Sequence, residues 1–364
     1  MSVEFIGFIG VNPSSEIHPH KGPILDRTYV EDIAKAHENG GFDRALVAFH
    51  SAAPDSIIVT AHAASVTKRL HFMIAHRPGF AAPTVAARQL ATLDQFTGGR
   101  IAVHIITGGS DDEMARDGDH SKKDDRYART EEYLDIVRQE WTSAKPFDYK
   151  GKYYKVNGAF GAIKPLQQPS MPIYFGGSSD AAIPVAGKHA DIYALWGETQ
   201  AQVRETISRV RAAAAKWGRS PRFSLSLRPV LADTEEAAWA RAKVIEARTR
   251  ELREQAGLKT EDHAPPNAGA QRLLAAAAQG TRLDKRLWTG VAALTGASGN
   301  STGLVGTPEQ VADALLDYYD LGVTTFLIRG FDPLDDAIAY GRDLLPLVRD
   351  LVAAREANPT RVAS

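Results

Sequence analysis

Cysteine is absent from all 364 residues, which removes disulfides, thiolate metal sites and a cysteine nucleophile together and fits a reducing compartment, the cytoplasm being the default. Net charge is nearly absent as well. The 43 Lys and Arg are matched by 44 Asp and Glu, so no net field draws in nucleic acid or an anionic lipid surface, and a small-molecule partner is favoured. No uninterrupted apolar stretch approaches the roughly 20 residues of a membrane span, and Met1-Ser2-Val3-Glu4 carries no basic leader, so neither export nor membrane insertion is expected. Also missing are a Gly-x-Ser-x-Gly elbow, a P-loop and a Gly-x-Gly-x-x-Gly run after a strand. Serine hydrolase, nucleotide hydrolase and dinucleotide-fold dehydrogenase lose their usual warrants, and chemistry borrowed from a cofactor becomes the better expectation. His18 and His20 are spaced like a metal pair, but no carboxylate at ligand spacing accompanies them, so no metal is expected.

What is present is ordinary globular material: 44% apolar and 24% charged residues, enough for a large core. Short β-branched or aromatic runs at 5–11, 45–49, 71–76, 101–107, 172–175, 192–196, 223–230 and 325–330 read as strands. Amphipathic stretches at 27–39, 55–67, 83–96, 126–141, 180–189, 199–217, 235–255, 308–320 and 334–356 read as helices. Strands alternating with helical crossovers imply a parallel sheet. The fourth strand is apolar on both faces except for His104, as a strand packed between helices and a barrel centre should be. The expected fold is α/β, a (β/α)8 TIM barrel forming a single domain over 1–364 with insertions, since such barrels remain one domain at this length. Two stretches break the rhythm, the Gly-rich polar run 108–125 and the segment 258–306, whose length suits an insertion containing a mobile lid. The tail 357–364 is expected to fray.

The most informative element is the turn Tyr174-Phe175-Gly176-Gly177-Ser178-Ser179-Asp180. Two glycines let a backbone approach a phosphate, and the helix that follows offers free N–H groups and a positive dipole end. The same residues also make a plain capped turn with Ser179 as N-cap, but barrel ligands sit at strand C-termini. His104, Thr107, Gly108 and Gly109 end the fourth strand, and Asp124 to Tyr127 opens the next helix. His104 alone reads equally as a hydrogen-bonded core residue. Trp196 ends the sixth strand, where it either walls a site or plugs the rim. Arg77, Arg228 and Arg329 follow or end strands three, seven and eight. Guanidinium forks there suit an anionic substrate group, surface ion pairs being the alternative.

Taken together, Arg77-Pro78, Pro83-Thr84-Val85-Ala86-Ala87-Arg88-Gln89, Ala91-Thr92-Leu93-Asp94, Gly98-Gly99-Arg100 and Tyr174 to Asp180 resemble the bacterial-luciferase-like flavin monooxygenases. Within them the two-component alkanesulfonate monooxygenases are the most similar group. The resemblance runs nearly the whole chain, through Asp125-Arg126-Tyr127, Trp196-Gly197-Glu198, Leu287-Trp288, Leu304-Val305-Gly306 and Leu344-Leu345-Pro346-Leu347. It implies a barrel that binds FMN as FMNH2 supplied by a separate NAD(P)H-dependent flavin reductase, uses O2 as cosubstrate and cleaves the C–S bond of an organosulfonate to an aldehyde and sulfite. By position, Gly176, Gly177, Ser178 and Ser179 would hold the flavin phosphate. His104, Thr107 and Tyr127 would border the isoalloxazine or ribityl chain, and Trp196 would face the reacting centre. A homodimer or homotetramer is implied in the same way.

The departures bear on the substrate. Where those enzymes carry a cysteine after strand two, this chain reads Phe49-His50-Ser51-Ala52-Ala53. Their strand-seven arginine and histidine fall on Ser226 and Arg228, their mobile-loop arginine near Thr295, and their tyrosine beyond strand eight on Phe331. Arg228 and Arg329 would then restore anion recognition in another arrangement, with His50 in a polar role beside the flavin. The substrate expected is larger or more polar than a simple alkanesulfonate, sulfoquinovose being the example. Two other readings stay open: a luciferase-like oxidoreductase using FMN or F420 on a non-sulfonate substrate, and a non-catalytic flavin-binding barrel.

Overall fold

A computed structural model describes residues 3–258, 267–297 and 299–357. The tail 358–364, part of the expected insertion (259–266) and Ser298 lie outside the described residues. Eight strands recur in the expected places: β1 (Glu4–Ile9), β2 (Arg44–Val47), β3 (His71–His76), β4 (Ile101–Ile105), β5 (Ile173–Gly176), β6 (Ile192–Trp196), β7 (Arg222–Leu231) and β8 (Val323–Ile328). Their hydrogen-bonded order is β7-β8-β1-β2-β3-β4-β5-β6, and β6 pairs again with β7. The registers of β1 with β8, β8 with β7, β3 with β4 and β4 with β5 are all parallel. A parallel strand order that follows the chain and returns to its start, with helices between the strands, is the (β/α)8 barrel fold.

Local chemistry explains where the helices begin. The Asp26 carboxylate accepts the Tyr29 N–H and starts the helix Arg27–Asn39; Asp55 accepts from Ile57 and Ile58 and starts Ser56–Ser65. Each satisfies N–H groups that have no partner inside the helix. Thr307 and Gln310 form a reciprocal capping box with Pro308 in the first turn, fixing the start of Pro308–Asp320,.

Contacts divide the chain into two compact units, Met1–Ala45 with Ala194–Ser208 and Arg222–Ser364, and Leu46–Tyr193 with Arg209–Pro221. The first contains β1, β7 and β8, and its buried side chains include Phe5, Phe223 and Phe326. The second contains β3, β4 and β5, where Ile101, Ala102, Val103 and Ile105 are buried and only His104 is partly open. The strand is therefore apolar on both faces, as its sequence indicates.

Three stretches differ from expectation. Residues 258–306 are more than a loop where they are described. They contain the helices Ala268–Ala277 and Gly290–Thr295 and the strand Gly303–Gly306, which runs parallel to the second half of β7. Trp288 and Val291 are buried there against Val230 and Phe331. The polar run 108–125 folds a short helix, Asp111–Arg116, capped by Ser110. The final helix spans the expected residues but changes to a π-helical segment, Tyr340–Leu344, between Pro333–Ala339 and Leu345–Ala357. Gly341 lies so close to Gly40 that an added Cβ would sit 2.4 Å from the Gly40 Cα; backbone contact at that point decides the helix path. No helix among the described residues is long and apolar enough to cross a membrane.

Candidate functional site

The second unit holds the glycine-serine turn at the end of β5. Gly177 has φ +130, and a Cβ there would lie 2.6 Å from the Tyr127 hydroxyl and 3.0 Å from the Ala182 Cβ. Glycine is thus required both by the backbone angle and by the space. The Gly177 carbonyl accepts a 2.5 Å hydrogen bond from the Tyr193 hydroxyl, which fixes the turn from below. The helix Ala182–His189 that follows has no side-chain cap. Ser179 contributes its carbonyl to the first helical turn, but its hydroxyl does not cap. Both Ser178 Oγ and Ser179 Oγ are buried and find no hydrogen-bond partner among the described residues. Buried hydroxyls without partners cost free energy and are rare. Two in succession at a helix N-terminus fit a ligand rich in acceptor oxygens, such as a phosphate monoester.

Tyr127, Thr107 and His104 stand in the same unit. Tyr127 is buried with its ring 6.3 Å from that of Phe175 on β5, and its hydroxyl borders Gly177. Thr107 is held through its carbonyl, which accepts from Arg126 Nε at 3.0 Å; Gly108 beside it has φ +90, and a Cβ there would lie 2.3 Å from Met114 Sδ. Burial lowers the His104 pKa to about 4, so the imidazole is neutral at pH 7, and its Nδ1 is buried with no partner among the described residues. The turn, Tyr127 and His104 therefore present open polar atoms and no fixed charge. A flavin, whose own phosphate is the charged part, fits that donor set.

His50 follows β2 and is exposed. Its Nδ1 accepts from the Ala52 N–H at 3.1 Å, and its Nε2 lies 3.3 Å from Glu113 Oε1. The same carboxylate oxygen takes Arg77 Nη2 at 2.7 Å and the Ser51 N–H at 3.3 Å. Arg77 lies over the Phe49 ring at 5.0 Å. Glu113 escaped the sequence reading because it lies in a run with no clear periodicity.

In the first unit Arg228 and Arg329 do come together, around a residue that the sequence reading missed. Arg228 is fully buried; its Nη1 and Nη2 meet Glu16 Oε1 and Oε2 at 2.7 and 2.8 Å, Nη2 also donates to the Gly330 carbonyl at 2.8 Å, and the Phe331 ring lies 3.6 Å away. Arg329 Nη2 stands 3.6 Å from Glu16 Oε1, with its guanidinium 4.6 Å from the Phe8 ring. Burial alone would raise the Glu16 carboxyl, yet Arg228 and Arg329 overcome it and hold the pKa at about 2. Burial, with Arg228 adding to it, lowers Arg329 to about 10. Arg228 is thus already occupied by a carboxylate of its own chain, 212 positions distant, and no spacing in the sequence signals that pair.

Trp196, at the end of β6, is half-buried and packs against a small core of Ala270, Leu273, Ala292 and Ala297 from the 258–306 segment. A Cβ on Gly269 would come 3.1 Å from its ring. The helix Ala268–Ala277 is also tied down by Arg272, whose Nε lies 2.9 Å from both oxygens of buried Glu198.

Fold and turn define a (β/α)8 barrel with a glycine-serine turn at the C-terminal end of its fifth strand. The family profile "Luciferase-like monooxygenase" matches residues 3–325, and the chain belongs to that family. Among solved structures it is similar to riboflavin lyase, RcaE, seen with modified FMN and riboflavin, at 20% identity over 96% of this chain and 92% of that one, with a TM-score of 0.79. It is similar to EDTA monooxygenase from Chelativorans sp. BNC1 at 21% identity over 100% and 96%, TM-score 0.76. The long-chain alkane monooxygenase LadA matches at 18% over 96% and 92%, TM-score 0.75. At these identities the likeness is one of fold.

Proposed function

We propose that this protein is a cytoplasmic FMNH2- and O2-dependent monooxygenase that desulfonates an organosulfonate, its reduced flavin delivered by a separate NAD(P)H-dependent reductase, and that it works as a homodimer or homotetramer. The observation that carries the flavin reading is the pair of buried, unpartnered hydroxyls of Ser178 and Ser179 beside Gly177. In this reading Gly176, Gly177, Ser178 and Ser179 bind the FMN phosphate, and His104, Thr107 and Tyr127 border the ring or ribityl chain. Reduced FMN supplies the two electrons and the O2 activation that no side chain here offers. The neutral His104 imidazole offers a hydrogen bond without a competing charge. Overall, sulfonate, O2 and FMNH2 give aldehyde, sulfite, water, a proton and FMN.

The sulfonate class is supported by the guanidinium groups of unit one. A substrate larger or more polar than a simple alkanesulfonate, such as sulfoquinovose, suits a chain that reads Phe49-His50-Ser51-Ala52-Ala53 where the alkanesulfonate monooxygenases it resembles carry a cysteine, and Phe331 where they carry a tyrosine. The protein combined with FMN, a flavin reductase, NADH and a panel of sulfonates should release sulfite in step with oxygen uptake. Oxygen consumed only to hydrogen peroxide with every sulfonate would refute the substrate class. Turnover that requires F420 in place of FMN would refute the cofactor.

A further inference from the structure

Charge counting around Glu16 separates the roles of the two arginines. Arg228 and Arg329 bring two positive charges and Glu16 one negative, and the titratable groups acting on Arg329 include Arg228, Glu16 and Tyr29. Burial holds the Tyr29 hydroxyl protonated, its pKa raised to about 12, so it does not supply the missing anion. A second group in this unit, Asp332 and Asp336 around Arg241 with His18 on Asp332, makes its own ion pairs at 2.6 to 2.8 Å. Within this trio the guanidinium groups outnumber the carboxylate by one, and geometry places the less closely paired one at Arg329. Both Arg228 amino groups meet Glu16, whereas Arg329 reaches it only at 3.6 Å. Nε of Arg329, like that of Arg228, is buried with no hydrogen-bond partner among the described residues, and so is the hydroxyl of Tyr29, a residue 8% exposed. The Arg329 side chain keeps a quarter of its surface open, while Arg228 has none.

We propose that Arg329 and Tyr29 form the head-group site for a singly charged anionic substrate, a sulfonate or carboxylate, and that Arg228 is withheld from substrate by Glu16. This rests on the reading of the substrate as an anion. It changes the role of Arg228 from a substrate ligand to a positioning residue that holds Glu16, and through it the electrostatic setting of Arg329. A buried surplus charge is costly unless something pairs it, and a monoanion restores neutrality where a dianion would overshoot.

The test measures binding of octanesulfonate and octanol to the full-length protein by calorimetry. The two probes share an alkyl chain and differ in head-group charge. The wild type should prefer the sulfonate by about tenfold or more, the worth of a charge-assisted hydrogen bond. Arg329→Met should abolish that preference while octanol binding stays, and Arg329→Lys should restore part of it. Tyr29→Phe removes a hydroxyl with no hydrogen-bond partner among the described residues, so it should fold whatever Arg329→Met does, and it should weaken the sulfonate several-fold. An undiminished sulfonate preference in Arg329→Met, or in Tyr29→Phe if the former does not fold, overturns the assignment and leaves an anionic substrate standing. No preference in the wild type overturns the site, and no sulfite from any sulfonate of the panel overturns the anionic reading with it. Sulfite release with an intact preference in Arg329→Met would fix the failure on the site alone.

Discussion

Replacing Ser178 or Ser179 by alanine should move stability and flavin binding in opposite directions. Each hydroxyl is buried and unpartnered, so the ligand-free protein carries a desolvation cost of about 1–3 kcal/mol per group. Removing the group relieves part of that, and the ligand-free variant should unfold at the same denaturant concentration as the wild type or be up to about 1 kcal/mol more stable. A hydrogen bond to a charged phosphate contributes about 1.5–3 kcal/mol, so each alanine should weaken reduced FMN at least about tenfold. With reduced FMN at about a hundred times its Kd, ligand stabilisation of about 2.7 kcal/mol would drop to about 1.4 kcal/mol after a tenfold loss. Anaerobic urea unfolding with and without the reduced flavin reads both quantities in one experiment. A serine that only capped the helix would behave differently, since losing a cap destabilises the ligand-free protein by about 1 kcal/mol. Destabilisation of that size, with flavin affinity unchanged, would refute the phosphate reading.

Gly177→Ala should destabilise the protein by about 2–4 kcal/mol, from φ +130 and the 2.6 Å approach to Tyr127,. Adding Tyr127→Phe should recover about 1 kcal/mol, and additive effects in the double-mutant cycle would count against that contact. Burial lowers His37, His76 and His104 to about 4, while the unfolded chain takes up those protons near 6.5. The stability these neutral rings contribute is complete above pH 6.5 and lost as pH falls towards 4, about 3 kcal/mol for each. Unfolding followed by urea across that window should show the slope, and a flat profile would contradict it. Glu16 acts lower, its contribution complete above pH 4.5 and lost as pH falls towards 2,. Arg272→Ala leaves the buried Glu198 carboxylate uncompensated. It should cost about 3–5 kcal/mol and open the helix Ala268–Ala277 to proteolysis, and full resistance would show that the segment is held by packing instead.

The sequence by itself determined the architecture. Periodicity placed all eight strands, and the helices 27–39, 235–255 and 308–320 recur with the same ends, because alternation, caps and prolines act within a few residues of one another. The turn at Gly176 to Ser179 was legible for the same reason, being a local signature with a local physical cause. Tertiary structure decided the partners. Neither Glu16 nor Glu113 stood out, since each matters only through an arginine brought to it by the fold, 212 positions away in one case and 36 in the other. The π-helical interruption at Tyr340–Leu344 was invisible because its helix path meets Gly40, some 300 residues earlier. Whether Ser179 capped a helix or left its hydroxyl open for a ligand was equally beyond the sequence. Both uses need the same residue at the same place, and only the position of the oxygen relative to the first helical turn separates them.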